Sequence, residues 1–238
     1  MKKQLAIVTA LSFLSMGFST LLAKGLEREK RELGAFKEIE VGSTFTVEIN
    51  KGNTYTVELE SDSEDLEKVI TTVKNGELII KMSGNDWWSQ SKKRSNIKLY
   101  ITTPELVGLE ASGNTQVKVL DVFQVADFDL DLSGASQVSI ELECSGTLEI
   151  ESSGATTLNL KGKAGSGDVE ASGASNIKAD DFNFINLDLD LSGASMASVG
   201  VSDTLNVEAS GAATVKYSGN PKSIDINSSG ASKVSKRS

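Results

Sequence analysis

Two rows of acidic residues are the most distinctive chemical feature of the sequence, and both precede a recurrent Ser-Gly pair. The first row stands three residues before the glycine and comprises Glu110, Asp131, Glu151, Glu170, Asp190 and Glu208. The second row stands five residues before it and comprises Asp129, Glu149, Asp168, Asp188 and Asp225. Carboxylate oxygens are the ligands of Ca²⁺ and other hard cations, and dense acidic surfaces also attract basic partners. We therefore predict a metal or partner site along the first row, with Ca²⁺ as the one candidate cofactor. The alternative is a solubilising face that blocks association between sheets.

A second candidate site combines aromatic and basic residues in one short segment. Trp87 and Trp88 are the only tryptophans of the chain, and Lys92, Lys93 and Arg94 form its densest basic cluster. Exposed indoles beside basic groups can stack on sugar rings or seat a protein partner, and loops often carry such residues. The pattern predicts an extended binding loop between two strands. The alternative is that the tryptophans pack over one end of the fold.

Composition excludes several classes of chemistry. The chain has 238 residues with 24 basic and 33 acidic side chains, which gives a net charge of −9 and makes nucleic-acid binding unfavourable. It contains no histidine, which rules out Ser-His-Asp and Cys-His catalysis and every His-ligated metal site. Its one cysteine, Cys144, excludes an internal disulfide framework.

The Ser-Gly pairs that follow the acidic rows recur with a nearly constant period. Their glycines are Gly113, Gly134, Gly154, Gly173, Gly193, Gly211 and Gly230. A fixed short period repeated this often indicates a solenoid in which each repeat forms one rung. The residues four before and four after each glycine are apolar, from Leu109 and Val117 in the first repeat to Ile226 and Val234 in the last.

Apolar and polar residues alternate around each glycine, which indicates strands rather than helices. The glycine then lies at a corner between two strands, where a positive φ is favourable only without a Cβ. We predict an all-β, single-stranded, right-handed parallel β-helix with rungs of about 20 residues. An antiparallel β-sandwich is the alternative, but it gives no reason for seven similar corners.

The chain divides into three parts. Residues 1–23 have a basic start, an apolar run and a small final residue, which predicts a secretory signal peptide. Residues 24–34 are predicted to be a short exposed leader, and residues 35–238 one β-helix domain. Within it, 35–104 are read as irregular opening rungs that cap the coil, and 105–238 as the rungs with Ser-Gly corners. Asn75-Gly76 predicts a hairpin turn in the opening part.

At this point the sequence resembles the putative auto-transporter adhesin family with the head GIN domain, over about residues 35–238. The resemblance rests on Phe36-x-x-Ile39-x-Val41-Gly, Asn75-Gly76-x-Leu78-x-Ile80, Ile101-x-x-Pro104-x-Leu106 and the Ser-Gly-Ala/Asn corners. It implies a right-handed parallel β-helix, a role in cell adhesion and export by a Gram-negative bacterium. It carries over no catalytic residues.

The function that these features favour is an exported, non-catalytic β-helix with an extended binding face for a cell-surface glycan or protein. A regular row gives equivalent carboxylates, whereas a glycoside hydrolase needs an acid and a base on opposite sides of a cleft. The alternatives are a periplasmic structural or envelope accessory protein and a polysaccharide-active enzyme. We expect a protein without a transmembrane segment after signal cleavage, at the cell surface or outside the cell, otherwise in the periplasm. Homo-oligomerisation stays open.

Overall fold

A computed structural model describes residues 26–84 and 97–237, which are almost entirely β-strand. The strands of the described part are β1 (Glu27–Arg31), β2 (Glu38–Val41), β3 (Phe45–Lys51), β4 (Thr56–Ser61), β5 (Val69–Lys74), β6 (Glu77–Met82), β7 (Ile97–Thr103), β8 (Gly108–Ala111), β9 (Gln116–Val119), β10 (Phe123–Val125), β11 (Phe128–Leu132), β12 (Gln137–Ser152), β13 (Thr157–Ala171), β14 (Asn176–Leu191), β15 (Met196–Ala209), β16 (Thr214–Gly219), β17 (Ser223–Ser228) and β18 (Lys233–Lys236). One helical turn, α1 (Ser63–Leu66), lies between β4 and β5.

Each regular rung has two walls that meet at the corner glycine. We call the wall that follows the glycine wall A, formed by β3, β9, the first halves of β12 to β15, β16 and β18. Wall B precedes the glycine and is formed by β2, β8, β11, the second halves of β12 to β15, and β17. In β12, a register shift between Cys144 and Thr147 marks the second corner, where the chain passes from wall A to wall B.

Equivalent strands of successive rungs pair in parallel and in register. Val138 of β12 lies opposite Leu158 of β13 on wall A, and Ile150 lies opposite Val169 on wall B. The same pairing continues through β14, β15 and the final strands. The predicted solenoid of stacked parallel strands is therefore confirmed, and the antiparallel sandwich is excluded.

The opening rungs are stacked in an order that differs from their order in the chain. Strands β2 and β3 pair in parallel with β8 and β9 on one side, and with β6 and β7 on the other. The rung that comes later in the sequence, β6–β7, therefore lies outside the first one. Antiparallel strands then close this end: β4 pairs with β7, β1 with β4, and β5 with β6. The predicted cap is confirmed, and strand β1 within the leader takes part in it.

The interior of the coil is filled by the apolar residues of both walls. One continuous cluster of buried side chains runs from Phe36 to Tyr217. Leu130, Ile150 and Val169 stack as successive members of one inward row, each about 1% exposed. Each fully buried aliphatic side chain stabilises the fold by roughly 1.5–3 kcal/mol, so this row holds the rungs together and keeps the acids on the outer face.

The described residues include no helix long and apolar enough to cross a membrane.

Candidate binding groove

The corner glycines form a stack in which each backbone contacts the next. The N–H of Ala135 donates a hydrogen bond to the carbonyl of Gly113 at 2.6 Å, and that of Ala155 donates to Gly134 at 2.7 Å. The φ angle is 70° at Gly134 and 88° at Gly154. A Cβ at Gly134 would lie 2.6 Å from the Gly113 carbonyl oxygen, so both the torsion and the close approach require glycine here. The stack fixes the groups on either side of the corner at the strand spacing.

Buried hydroxyl groups support these corners from inside the coil. Two residues after the glycine, the rungs place Thr115, Ser136, Thr156, Ser175 and Ser195, all of which are buried. The hydroxyl of Thr115 donates to the Ser112 carbonyl at 2.9 Å, and that of Ser175 donates to the Ser172 carbonyl at 2.7 Å. These two bonds span their corners and satisfy carbonyls that the turn would otherwise leave unpaired. The hydroxyl of Thr156 pairs with that of Ser152, and the buried hydroxyls of Ser136 and Ser195 have no hydrogen-bond partner in the described structure.

The first acidic row is continuous across the rungs. Asp131 lies in register with Glu110 on one side and Glu151 on the other. The same register continues to Glu170, Asp190 and Glu208. Neighbouring members are separated by one strand spacing, about 4.8 Å. The structure therefore brings all six predicted residues together along one line.

These carboxylates line an open groove that follows the corner of the coil. The groove has a volume of about 350 Å³. Its carboxylates come from five successive rungs: Glu110, Asp131, Glu151, Glu170 and Asp190. Serine hydroxyls from the residue before each glycine also line it: Ser133, Ser153, Ser172 and Ser192. We call this feature the corner groove.

Partial burial, together with crowding of negative charge, raises pKa values in the first acidic row. Partial burial, and then the nearby carboxylates of Glu40 and Asp131, raise the pKa of Glu110. Partial burial, and then Glu151 and Asp129, likewise raise the pKa of Asp131. In the described part of the chain, none of the groove carboxylates forms an ion pair with lysine or arginine. The corner groove therefore presents negative charge without an internal counterion.

The other predicted site residues have different outcomes. Trp87, Trp88, Lys92, Lys93 and Arg94 lie outside the described residues, between β6 and β7, and their binding role stays a prediction. Among residues 26–84 and 97–237, no group of three or more His, Cys, Asp or Glu side chains is arranged to hold a metal ion. The predicted Ca²⁺ role of the first row stays a prediction as well.

Two residues of the site escaped the sequence analysis. Glu40 of β2 pairs with Glu110, so the acidic row begins one rung earlier than predicted. Ser43 occupies the corner of that rung with a φ of 109°, and its carbonyl accepts the N–H of Asn114 at 2.7 Å as a corner glycine would. The signal was the sequence Glu40-Val-Gly-Ser43, in which the usual Ser-Gly order is reversed.

This chain was compared with protein families, with curated proteins and with solved structures. A sequence profile of the family described as "putative auto-transporter adhesin, head GIN domain" matches residues 35–221. No match was found among curated proteins.

Solved structures share the fold at low sequence identity. A putative adhesin from Bacteroides fragilis NCTC 9343 is 19% identical with a TM-score of 0.80, and the match covers 90% of this chain and 98% of that one. A putative lipid binding protein from Parabacteroides distasonis ATCC 8503 is 14% identical with a TM-score of 0.66, covering 91% and 98%. A putative adhesin from the same strain is 20% identical with a TM-score of 0.65, covering 90% and 98%. These likenesses show the fold.

Proposed function

Because the chain belongs to the putative auto-transporter adhesin, head GIN domain family, we propose that it is an exported, non-catalytic adhesin-like protein that binds a cell-surface partner along the corner groove. The predicted signal peptide, residues 1–23, supports export. The location that follows is the surface of a Gram-negative cell or its surroundings, with the periplasm as the alternative.

The observation that carries this proposal is the repetition of the corner groove over five rungs. Each of the five rungs adds one carboxylate at a spacing of about 4.8 Å, and the four rungs that follow Glu110 also add serine hydroxyls. A partner that carries amino, guanidinium or hydroxyl groups at intervals along an extended chain can satisfy several rungs at once. Surface glycans and extended basic protein segments have this chemistry.

The arrangement favours binding over catalysis. Carboxylates that repeat in a row point outward from one side of the coil, whereas a glycoside hydrolase needs an acid and a base on opposite sides of a cleft. Raised pKa values at both Glu110 and Asp131 follow from burial and from the same mutual repulsion. A cationic ligand relieves that repulsion, which contributes to its affinity, whereas a hydroxyl-bearing ligand donates hydrogen bonds to the carboxylates.

A matched pair of variants tests the groove. Asp131→Asn/Glu151→Gln removes two adjacent charges from the corner groove, whereas Glu141→Gln/Asp181→Asn removes the same two charges from exposed positions on wall A. Binding of the purified, fluorescently labelled protein to whole cells and to a glycan array would be compared. We expect the groove variant to bind about tenfold more weakly and the control to bind normally.

Equal binding by both variants would contradict a role for the corner groove. If binding is instead lost in Trp87→Ala/Trp88→Ala, the predicted loop is the contact surface. Absence of binding to any cell or glycan, with the protein confined to the periplasm, would favour an envelope accessory role. Turnover of a polysaccharide by the purified protein would overturn the non-catalytic assignment.

A further inference from the structure

The cap over the outermost parallel rung leaves two strand edges without a partner strand in the described part of the chain. On wall A, β7 pairs with β4 and β4 pairs with β1, so β1 is the outermost strand there. On wall B, β6 pairs with β5, which has no further partner strand among residues 26–84 and 97–237. An edge strand presents unpaired backbone N–H and carbonyl groups to which another strand can add.

The side chains guard one of these edges and not the other. Strand β1 reads Glu-Arg-Glu-Lys-Arg, and such a run of charged residues opposes the addition of a further strand. Strand β5 carries no charge from Val69 to Val73 and contains no proline. Ile70, on its outward face, is 39% exposed. The edge of β5 therefore has the composition that accepts a further strand.

The hydrogen-bonding pattern of the β5–β6 hairpin identifies the free backbone groups. Immediately before β5, the carbonyl of Lys68 accepts the N–H of Ser83 at 2.7 Å. Hydrogen-bonded positions alternate along an antiparallel pair, so every second residue counted from Lys68 bonds to β6. The intervening residues direct their N–H and carbonyl groups away from β6: Val69, Thr71 and Val73. Three donors and three acceptors therefore face outward along one edge.

The two walls differ in height by one strand at this end of the coil. Strands β6 and β7 belong to the same rung, and two strands lie outside β7 whereas one lies outside β6. Strand β1 therefore stands about 4.8 Å further out than β5. Two copies that approach through this end meet at their charged β1 edges before their β5 edges come into hydrogen-bonding range. One strand added to β5 makes the two walls equal in height.

We propose that the outer edge of β5 is a second binding site, which takes up one extended peptide segment of a partner protein as an added strand. The inward side chains of that segment are apolar, because they lie beside Val69 and beside Val73, which packs on the core and is only partly buried. On the outward face of the hairpin, Lys74 and Lys81 are exposed and form no ion pair within the described structure. An acidic side chain on the outward face of the segment complements them.

A synthetic probe tests strand addition by fluorescence anisotropy with the purified protein. The probe is the fluorescein-labelled peptide Val-Thr-Val-Glu-Val-Thr-Val, and we expect a Kd of about 10–100 µM. Two isomers of it carry N-methyl groups, one on its inner valine amides and the other on its threonine and glutamate amides. Because only alternate amides of an added strand face β5, one isomer should lose binding and the other should keep it. The isomer that fails identifies the direction of the strand.

Variants of the protein locate the contact. Thr71→Pro removes one outward N–H and should weaken binding at least about tenfold, whereas Thr71→Val keeps that N–H and should bind at least as well as the wild type. Lys74→Glu should weaken binding about threefold, and it should bind more tightly than the wild type when the probe carries lysine in place of glutamate. Asp131→Asn/Glu151→Gln, which alters the corner groove, should bind the probe normally.

Each outcome decides the proposal. No binding of the probe, or the same result with both N-methyl isomers, overturns strand addition; the isomers give this answer even if Thr71→Pro fails to fold. Equal binding by Thr71→Pro and Thr71→Val, with unchanged thermal unfolding, overturns the assignment to β5. A wild-type dimer that Thr71→Pro dissociates shows that a second copy occupies the edge instead. The assay contains no cell or glycan, so its result is independent of the proposed adhesive function.

Discussion

Substitution of one corner glycine by alanine measures how strongly the fold depends on its stacked corners. At Gly134 the substitution forces an L-residue to a φ of 70°. It also places a Cβ 2.6 Å from the carbonyl oxygen of Gly113. That oxygen accepts the Ala135 N–H, so it cannot move away without loss of a rung-to-rung hydrogen bond.

The free-energy cost of the positive φ and that of the Cβ collision can be measured separately, because Gly34 and Gly76 serve as controls. Gly34 has an ordinary φ and open space around its Cβ position, so Gly34→Ala should change stability by less than about 0.5 kcal/mol. Gly76 has a φ of 87° with open space, so Gly76→Ala should cost about 1 kcal/mol from the torsion alone. Gly134→Ala combines torsion and collision and should cost about 3 kcal/mol or more.

Thermal unfolding followed by circular dichroism is the assay. For a chain of this size, 1 kcal/mol corresponds to roughly 2–4 °C in the unfolding midpoint, so Gly134→Ala should lower it by about 6–12 °C. The ranking of the three variants matters more than any single value. If Gly134→Ala is no less stable than Gly76→Ala, close backbone stacking at the corners is refuted.

Three further predictions concern the corner at Ser43 and the first acidic row. Ser43→Gly should stabilise the fold by up to about 1 kcal/mol in urea unfolding, because glycine adopts the φ of 109° without strain. Because the pKa values of Glu110 and Asp131 are raised in the folded state, their contribution to stability is fully present below the ordinary values of 4.5 and 3.8 and is lost as the pH rises through the folded-state values. The temperature of thermal unfolding should therefore increase as the pH is lowered from neutrality towards those ordinary values, and it should increase less in Glu110→Gln/Asp131→Asn. If the first row binds Ca²⁺, calorimetry with millimolar calcium should give heat that the same variant abolishes; no heat refutes the metal hypothesis.

Local chemistry explains why the regular rungs could be predicted from the sequence. A repeated Ser-Gly corner and apolar residues four positions on either side define one rung completely, because each rung contacts mainly its neighbours. The register of Asp131 with Glu151 then follows from counting residues from the glycine. The hairpin at Asn75 and Gly76, with φ angles of 55° and 87°, was likewise predictable from its turn residues and is confirmed.

Features that depend on pairing between distant segments could not be predicted in this way. Nothing local in β6 and β7 indicates that they stack outside β2 and β3. The exposure of Ile224 and Ile226 also has no local signal, because their sequence pattern is that of a buried rung. Ser43 was not predicted to be a corner because the corners were recognised by their glycine, whereas this corner has a serine at a φ of 109°.

A distance measurement along the first acidic row tests the central claim most directly, namely that equivalent residues of successive rungs stack in line. Asp131 and Glu208 are 77 positions apart in sequence and four rung steps apart in the coil. Spin labels on Asp131→Cys/Glu208→Cys, with Cys144 buried and unlabelled, can be measured by pulsed electron resonance. Stacking predicts a separation of about 19 Å plus the label arms, in one narrow distribution. A mean distance beyond about 30 Å would contradict it.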